Sequence, residues 1–384
     1  MSSVPDPTKP LQSILIKPAG PSCNLACDYC FYLSKTELFS GTESFRMSDA
    51  MLRTVVRQMM RAGASNVSFG WQGGEPTLMG IPFFERAVEY QIRFGRPGQT
   101  VGNGLQTNGI LLNDDWATFL HDSRFLVGLS LDGPQHIHDR YRRFPSGKPS
   151  WERVVAARDA LLNRNVQVNA LVVVNDYSVR FAEEIYRFHK ENGLLHMQFI
   201  PCVETDPQNP RQSARFSVAA EEYGRFLCEL FDLWWDDFRD GKPTTFIRYF
   251  DSLFYTYVGL QPPDCTLLPQ CGVYLVVEHN GDVFACDFFV EPTWRLGNVG
   301  EQPLDELLNS AKQQAFGAVK SQLPTECTVC RWLRHCWCGC PKDRMRDARD
   351  AGSNHFCRSY QLLFDYADEK LQKLAVSWKQ THSH

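Results

Sequence analysis

A repeated alternation of short apolar runs with longer amphipathic stretches most limits how this chain of 384 residues can fold. The apolar runs predict six strands, at Leu11–Lys17, Asn66–Trp71, Gly104–Thr107, Phe125–Leu131, Val166–Val174 and Leu195–Ile200. Helical patterns between and after them predict helices, the first of them capped by Ser48. The others are predicted over Pro82–Phe94, Asp114–His121, Trp151–Asn163, Ser178–Asn192 and Ser217–Arg239. Strands that alternate with helices pair in parallel through right-handed crossovers. Six such units fit either an open doubly wound sheet or an incomplete barrel.

Unusual residues follow these predicted strands at the point where each strand ends. They are three cysteines after the first strand, Gly73-Gly74-Glu75-Pro76 after the second, Gln106-Thr-Asn-Gly109, Ser130-Leu-Asp-Gly-Pro134 and Pro201-Cys202-Val203. In folds of this kind ligands bind at the carboxyl ends of the strands. We therefore expect one edge of the sheet to form a reactive site.

The three cysteines, Cys23, Cys27 and Cys30, have the spacing CxxxCxxC. A four-iron cluster normally takes four thiolates, so three local ligands would leave one iron open to a substrate or cofactor. The alternatives are a zinc knuckle with a distant fourth ligand, or three unrelated core cysteines. Spacing alone leaves these interpretations open.

The last third of the chain has a different character, because nine of the fourteen cysteines follow residue 261. Two strand-like runs, Val273–Val277 and Asp282–Cys286, flank Asn280-Gly281, which is a strong hairpin signal. Apart from a terminal helix near Ser359–Leu374, only short helices such as Pro303–Asn309 are evident. Metal clusters can supply the cross-links that such a loop-rich region lacks.

Two groups of four ligands can be drawn from these cysteines. One is Cys327, Cys330, Cys336 and Cys357, and the other is Cys265, Cys271, Cys286 and Cys340. Spacing does not dictate this partition, and Cys338 is either a spare thiol or a sign that the assignment is wrong. A pair of zinc sites is the alternative for the whole region.

Charge and composition argue against several classes of partner. The net charge of −4 comes without a long run of one sign, so we expect neither a nucleic acid nor a membrane surface as partner. No signal-peptide pattern and no stretch of transmembrane length is evident. We therefore expect a cytoplasmic protein, where thiols stay reduced and many cysteines indicate metal or redox chemistry.

Several motifs in order resemble those of one enzyme family. The CxxxCxxC loop resembles the signature of radical S-adenosylmethionine (SAM) enzymes, Gly73-Gly74-Glu75-Pro76 resembles their SAM-binding motif, and the tail resembles the cysteine-rich SPASM extension. More narrowly, the chain resembles the anaerobic sulfatase-maturating enzymes from about Ile14 to Tyr366. The motifs that carry this resemblance are Cys27-Asp-Tyr-Cys-Phe-Tyr32, Trp71-Gln-Gly-Gly-Glu-Pro-Thr-Leu78, Leu105-Gln-Thr-Asn-Gly109, Val127-Gly-Leu-Ser-Leu-Asp-Gly-Pro134, Cys286-Asp287-Phe288 and Trp294-Arg-Leu-Gly-Asn298.

The resemblance implies an α/β fold in which a partial (β/α)6 barrel is joined to a loop-rich, cysteine-rich SPASM domain. It divides the chain into a flexible start (1–10), the barrel (11–240) and the SPASM domain with its terminal helix (241–384). The implied cofactors are SAM and three [4Fe-4S] clusters. One cluster would bind SAM on the first three cysteines, and two auxiliary clusters would occupy the two groups of four.

The resemblance also assigns roles to individual residues. The residues that it places in contact with SAM are Tyr32, Gly74, Ser130, Arg142 and Val203, although Arg142 lies in an ambiguous Arg140-Tyr-Arg-Arg143 run and Val203 matches a leucine position. Gln72 would contact the peptide substrate. Asp287 would be the general base, a sensible role for a carboxylate beside a cluster ligand. The alternative for Asp287 is a solvent-exposed aspartate at the end of a hairpin.

The implied reaction converts a cysteine or serine of a sulfatase peptide to Cα-formylglycine. A 5′-deoxyadenosyl radical from SAM removes a hydrogen from the β-carbon, and an electron and a proton are then lost. The implied partners are an unfolded or nascent sulfatase polypeptide and an external electron donor such as a flavodoxin or ferredoxin. Two alternatives stay open: a radical maturase that crosslinks or epimerises another ribosomal peptide, and a zinc-stapled binding protein.

Overall fold

One mixed sheet of ten strands organises the computed structural model, which describes residues 8–39 and 44–382. The strands are β1 (Ser13–Lys17), β2 (Asn66–Trp71), β3 (Thr100–Thr107), β4 (Phe125–Ser130), β5 (Gln167–Val174), β6 (His196–Pro201), β7 (Phe246–Ile247), β8 (Leu275–Glu278), β9 (Asp282–Phe284) and β10 (Arg295–Asn298). Their order across the sheet is β10-β9-β8-β1-β2-β3-β4-β5-β6-β7.

Thirteen α-helices are present within the described residues. They are α1 (Asp49–Ala62), α2 (Ile81–Phe94), α3 (Asp114–Asp122), α4 (Gln135–Tyr141), α5 (Trp151–Asn163), α6 (Ala182–Glu191), α7 (Ala220–Asp236), α8 (Arg248–Val258), α9 (Leu304–Leu308), α10 (Ala311–Ser321), α11 (Thr325–Thr328), α12 (Leu333–Cys336) and α13 (Cys357–His382). Ser48 caps α1 as predicted, because its Oγ accepts a hydrogen bond of 3.2 Å from the backbone N–H of Met51.

Strands β1 to β7 are parallel, and β7 and β10 are the edge strands of the sheet, so the barrel is partial and open. This confirms the predicted α/β class. The hairpin predicted at Asn280-Gly281 is also present, because β8 and β9 pair antiparallel around it. Strand β8 in addition pairs in parallel with β1. The cysteine-rich region therefore continues the barrel sheet through backbone hydrogen bonds.

Large apolar side chains between the sheet and the helices form the main core. Phe84 of α2 is fully buried, with its ring centroid 5.5 Å from that of Trp71 and 5.6 Å from that of Trp116. Along β1, Ile14 and Ile16 are buried in this core, so the alternate residues Leu15 and Lys17 face the other side of the sheet. That inner side, at the carboxyl edge, contains the site.

The structure departs from the predicted elements at several places. The helix predicted from residue 178 to 192 is a 3-10 turn at Ser178–Arg180 followed by α6, because Phe181 has a non-helical backbone. Helices α4, α8 and α10 were not predicted. Helix α10 is polar in sequence, but Gln313, Phe316 and Lys320 are buried where it packs against the hairpin region.

The predicted divisions at residues 10 and 240 stay predictions. Most of the predicted flexible start lies outside the described residues, and Lys9 donates a backbone hydrogen bond of 2.8 Å to Asn309 Oδ1. Among the helices of residues 8–39 and 44–382, none combines the length and the apolar character needed to cross a bilayer.

Candidate active site

The loop with Cys23, Cys27 and Cys30 follows β1 at the carboxyl edge of the sheet. Backbone hydrogen bonds hold it to the end of α4 and the residues that follow, from Asp28 N to Tyr141 O at 3.2 Å and from Ala26 N to Arg143 O at 2.8 Å. The loop is thus fixed on the barrel, and its three half-buried thiols lie on one short stretch of chain.

Burial raises the pKa of Cys23 to about 11 and that of Cys27 to about 12. The N–H of Leu25, 3.4 Å from Cys23 Sγ, and the Arg142 guanidinium near Cys27 act in the opposite direction. Metal binding to these thiols must therefore release protons. A thiol-only set with three members suits an iron–sulfur cluster with one open iron.

The Gly73-Gly74 turn passes directly against the cysteine loop. Gly74 N donates to Gly20 O at 2.8 Å, and a Cβ atom on Gly74 would lie 2.1 Å from Ser22 O. Gly73 has a φ of 128°, a conformation that side chains rarely adopt. Glycine is required at both positions by this close approach, which explains the motif in physical terms.

Glu75 anchors this turn to the next strand. Its buried carboxylate accepts hydrogen bonds from Thr77 N at 3.0 Å, Thr107 Oγ1 at 2.8 Å and Asn108 N at 2.8 Å. Burial raises its pKa, although these donors act against that shift. The Asn108 side chain in turn donates to Asn24 Oδ1 at 2.7 Å. Glu75 thus links the ends of β2 and β3 to the cysteine loop.

Arg142 lies beside Cys27 in a buried polar network. Its Nε is 3.0 Å from Asp132 Oδ2, which also accepts a hydrogen bond from Tyr29 Oη, and Val173 N donates to Asp132 Oδ1 at 3.0 Å. The network places the guanidinium at the cysteine loop with its charge compensated. The predicted contact of Arg142 with SAM stays a prediction.

The other residues predicted to contact SAM or peptide lie along the same edge. Ser130 ends β4, Val203 follows β6 and is fully buried, and Gln72 directly follows β2. Tyr32 follows the cysteine loop, and its Oη donates to Glu278 Oε1 at 2.5 Å. The structure brings these residues to the predicted edge, and their individual roles stay predictions.

Asp287 lies in a short 3-10 turn directly after Cys286. Its carboxylate forms a buried ion pair with Lys17, and the residue is only 7% exposed. A solvent-exposed aspartate at a hairpin end, the alternative considered above, does not describe this position. Asp287 therefore faces the barrel from the C-terminal region.

The first auxiliary group, Cys265, Cys271, Cys286 and Cys340, is brought together around the hairpin. Burial raises the pKa of Cys265 to about 12, and nearby Cys286 and Cys271 raise it further. Burial also raises the pKa of Cys340, with Cys286 and Cys265 among its charged neighbours. Tyr274 Oη lies 3.5 Å from Cys286 Sγ. The set contains only sulfur donors, which fits a cluster site.

The second auxiliary group lines a separate cavity, and here five thiols meet instead of four. They belong to Cys327, Cys330, Cys336, Cys357 and Cys338. Burial raises the pKa of Cys336 to about 12, and the backbone N–H groups of Cys338 and Gly339 act in the opposite direction. The Gly339 N–H donates to Cys336 O at 2.9 Å. Trp337 and Cys338 both have positive φ angles, of 48° and 58°. Cys338 is buried among the four proposed ligands, so both interpretations of this thiol stay open.

Two buried charged residues at the site are absent from the sequence interpretation. They are Lys17, the last residue of β1, and Glu278, the last residue of β8, which are partners in the β1–β8 register. Each directly follows an apolar run, Ile14–Ile16 or Leu275–Val277. A charged residue at the carboxyl end of a buried strand is the signal that could have indicated them.

Comparisons with known proteins agree with this geometry. Residues 18–189 match the model of the radical SAM superfamily, and residues 269–337 match that of an iron–sulfur cluster-binding domain named SPASM. The fold and the thiol groups therefore define a radical SAM enzyme with an auxiliary cluster domain.

Two relatives of known type assign the chain to a more specific family within this class. The chain is 38% identical over 375 residues to a serine-type anaerobic sulfatase-maturating enzyme of Bacteroides thetaiotaomicron, covering 93% of this chain and 89% of the relative. It is 37% identical over 372 residues to a cysteine-type enzyme of Clostridium perfringens, covering 96% and 100%. The chain belongs to the family of anaerobic sulfatase-maturating enzymes.

A solved structure shares the whole architecture. It is that of native anSMEcpe with bound AdoMet and the Cp18Cys peptide, with a TM-score of 0.87 and 35% identity, covering 96% of this chain and 100% of that one. The predicted partial barrel with a SPASM domain is thus confirmed.

Proposed function

We propose that this protein oxidises a cysteine or serine of a sulfatase polypeptide to Cα-formylglycine in a SAM-dependent radical reaction. One observation carries the proposal: the three-thiol loop and Asp287, which follows an auxiliary thiol, lie at one edge of one sheet, and Lys17, at the end of the strand before the loop, forms an ion pair with Asp287. The membership of the chain in the family supports it, and relatives of both the serine type and the cysteine type are similar over nearly their full length.

Three sets of cysteines would hold the iron–sulfur clusters of this enzyme. Cys23, Cys27 and Cys30 would hold the cluster that binds SAM, and the two auxiliary groups would each hold one further [4Fe-4S] cluster. SAM bound at the first cluster would supply the 5′-deoxyadenosyl radical, and an auxiliary cluster would accept the substrate electron.

The chain's own residues bind and orient the reactants. Around SAM we assign Tyr32, Gly74, Ser130, Arg142 and Val203, which lie on or just after the strands and the loop of the carboxyl edge. The narrow space at Gly74 fixes the turn, and the compensated Arg142 adds no net charge beside the cluster loop. We assign Gln72, at the end of β2, to the peptide.

Asp287 is the proposed general base. The substrate side chain loses one hydrogen atom and one electron, and its sulfur or oxygen also loses a proton, which the carboxylate accepts. The position of Asp287 next to Cys286 would place proton and electron acceptors side by side. For a cysteine substrate the product of this oxidation is a thioaldehyde, and water then hydrolyses it to the same aldehyde with release of hydrogen sulfide.

The proposed partners are a sulfatase polypeptide, unfolded or nascent, and an external electron donor of the flavodoxin or ferredoxin class. We place the reaction in the cytoplasm, because reduced thiols and a low-potential donor are available there.

The test uses the anaerobically reconstituted full chain with SAM, a chemical reductant and two sulfatase-derived peptides that differ only in a target cysteine or serine. We expect about 12 irons per chain from three four-iron clusters. We further expect formylglycine, detected by mass and by aldehyde trapping, from one or both peptides. A peptide with alanine at the target position is the matched control. An iron-loaded protein that cleaves SAM but forms no formylglycine from either peptide would refute the proposal.

A further inference from the structure

Lys17 is a lysine at a place where lysines are rarely found. It ends β1, its side chain is only 1% exposed, and it faces the inner side of the sheet. Its register partner on β8 is Glu278, so both side chains lie on the same face at the carboxyl edge. A buried ammonium at the mouth of a reactive site needs an explanation.

The Lys17 ammonium lies between two residues to which the proposed function gives roles. It forms the ion pair with Asp287 Oδ1, and its Nζ is 3.5 Å from the centroid of the Tyr32 ring. Tyr32 is a proposed SAM contact and Asp287 the proposed base. Gly73 packs against the Lys17 stem, since a Cβ there would lie 3.3 Å from Lys17 Cβ. The lysine therefore has little freedom to move.

Stability alone does not account for this pair. Replacing a buried ion pair by apolar groups of similar volume is often neutral or stabilising, whereas removing one partner is costly. The pair also joins two regions of the chain, since Lys17 belongs to the barrel and Asp287 follows an auxiliary ligand. Its geometry is specific: Oδ1 is the buried oxygen that contacts the lysine ammonium, while the Asp287 side chain as a whole keeps 10% exposure.

We propose that Lys17 is the positioning residue for Asp287. By holding Oδ1 it fixes the carboxylate on the barrel edge and leaves Oδ2 as the oxygen that meets the substrate thiol or hydroxyl. This inference rests on the proposed function and adds to it a barrel residue that acts in the proton-transfer half of the reaction. Lys17 does not itself contact the substrate atoms that react.

The test compares Lys17→Met, which removes the charge but keeps most of the length, with Lys17→Arg, which keeps the charge. Reconstituted variants are given SAM, reductant and the target peptide, and both 5′-deoxyadenosine and formylglycine are measured. We expect Lys17→Met to keep its iron, its affinity for a fluorescent peptide and its rate of SAM cleavage within about twofold. Formylglycine per 5′-deoxyadenosine should fall at least about tenfold, and Lys17→Arg should restore part of it.

Two controls separate positioning from a structural effect. Lys190→Met removes another lysine–aspartate pair, with Asp237 on the outside of the barrel, and should leave the ratio unchanged. In an Asp287→Asn background, Lys17→Met should cause no further loss, because it acts through Asp287. If the methionine variant loses iron, Lys17→Gln repeats the comparison.

A wild-type ratio in Lys17→Met, an additive loss in the double variant, or a parallel fall of both products would overturn the inference. A wild-type protein that forms no formylglycine would instead refute the proposed function. The two failures are therefore distinguishable in one set of assays.

Discussion

The barrel and the thiol segment, residues 322–357, hold their shape by different interactions. The barrel buries large side chains such as Trp71, Phe84 and Phe125 between sheet and helices. The thiol segment has only α11 and α12, of four residues each, and 3-10 turns. Helices this short are not stable by themselves in water. Burial of apolar surface is therefore enough to stabilise the barrel, whereas the stability of the thiol segment depends on the metal groups that its thiols bind.

Polar contacts supplement the few apolar contacts of the thiol segment. The Arg344 guanidinium donates to the carbonyl oxygens of Lys320 and Trp337, each at 3.2 Å, and Asn354 Nδ2 donates to Cys338 O at 3.0 Å. Each such bond contributes only about 1 kcal/mol net. A bound metal group contributes about 10 kcal/mol or more in small metal-dependent domains.

The largest expected effect is that of iron removal. Chelation under reducing conditions should accelerate amide hydrogen exchange in the thiol segment more than about a hundredfold, because the metal supplies most of its stability. Exchange in β2 to β5 should change little. Hydrogen-exchange mass spectrometry of the iron-loaded and iron-free full chain checks this. Equal protection of the thiol segment in both states would contradict the comparison.

Phe84→Ala perturbs the barrel instead of the thiol segment, because it opens a cavity in the barrel core. We expect a loss of about 3–5 kcal/mol in the free energy of unfolding, as for other buried aromatic residues. Iron content per folded chain should stay unchanged. Thermal and denaturant unfolding measure the effect, with Ile92→Ala on the same helix, 77% exposed, as the control. A coupled loss of iron would show that the two regions are not independent.

Asp287→Asn should separate SAM cleavage from formylglycine formation. The barrel residues proposed to bind SAM are untouched, so SAM cleavage should persist. Formylglycine should fall by about a hundredfold or more, because the proposed base is lost. Product analysis by mass spectrometry checks both, and Asp305→Asn at an exposed position of α9 is the control. Unchanged formylglycine would remove Asp287 as the base.

The smallest expected effect concerns the fifth thiol. Cys338→Ala should keep about 12 irons per chain, whereas Cys357→Ala should lose about four, because Cys357 is assigned as a ligand. Iron analysis and electron paramagnetic resonance of the reduced proteins distinguish the two. The opposite pattern would exchange the roles of the two cysteines.

Periodic elements of the barrel could be predicted closely from the sequence. Strand β2 and helix α5 have the predicted bounds, Asn66–Trp71 and Trp151–Asn163. The periodicity of apolar residues indicates which face of an element is buried, and in these two elements that face is the one that packs in the folded barrel. Helix α10 was missed for the opposite reason, since its buried Gln313 and Lys320 have polar side chains that satisfy backbone carbonyls.

The site was predictable only where a motif marked it. The cysteine loop and Gly73-Gly74 lie at the strand ends where their motifs predicted them, and the resemblance singled out Asp287 without predicting where it lies in the sheet. The Lys17–Asp287 pair and the Glu75 anchor join residues that are distant in sequence or whose partners no spacing indicates. Such contacts depend on how the strands are ordered in the sheet, and the sequence does not state that order.

The pairing of β8 with β1 has a consequence for electron transfer. Neighbouring strands in a sheet lie about 4.8 Å apart and are locked by backbone hydrogen bonds. The cysteine loop follows β1, and Cys286 follows the hairpin that begins with β8. The separation between the cysteine loop and Cys286 is therefore set by the sheet and not by a hinge. The rate of electron tunnelling between clusters at these two places falls steeply with distance, so a fixed separation would keep this rate constant through the catalytic cycle.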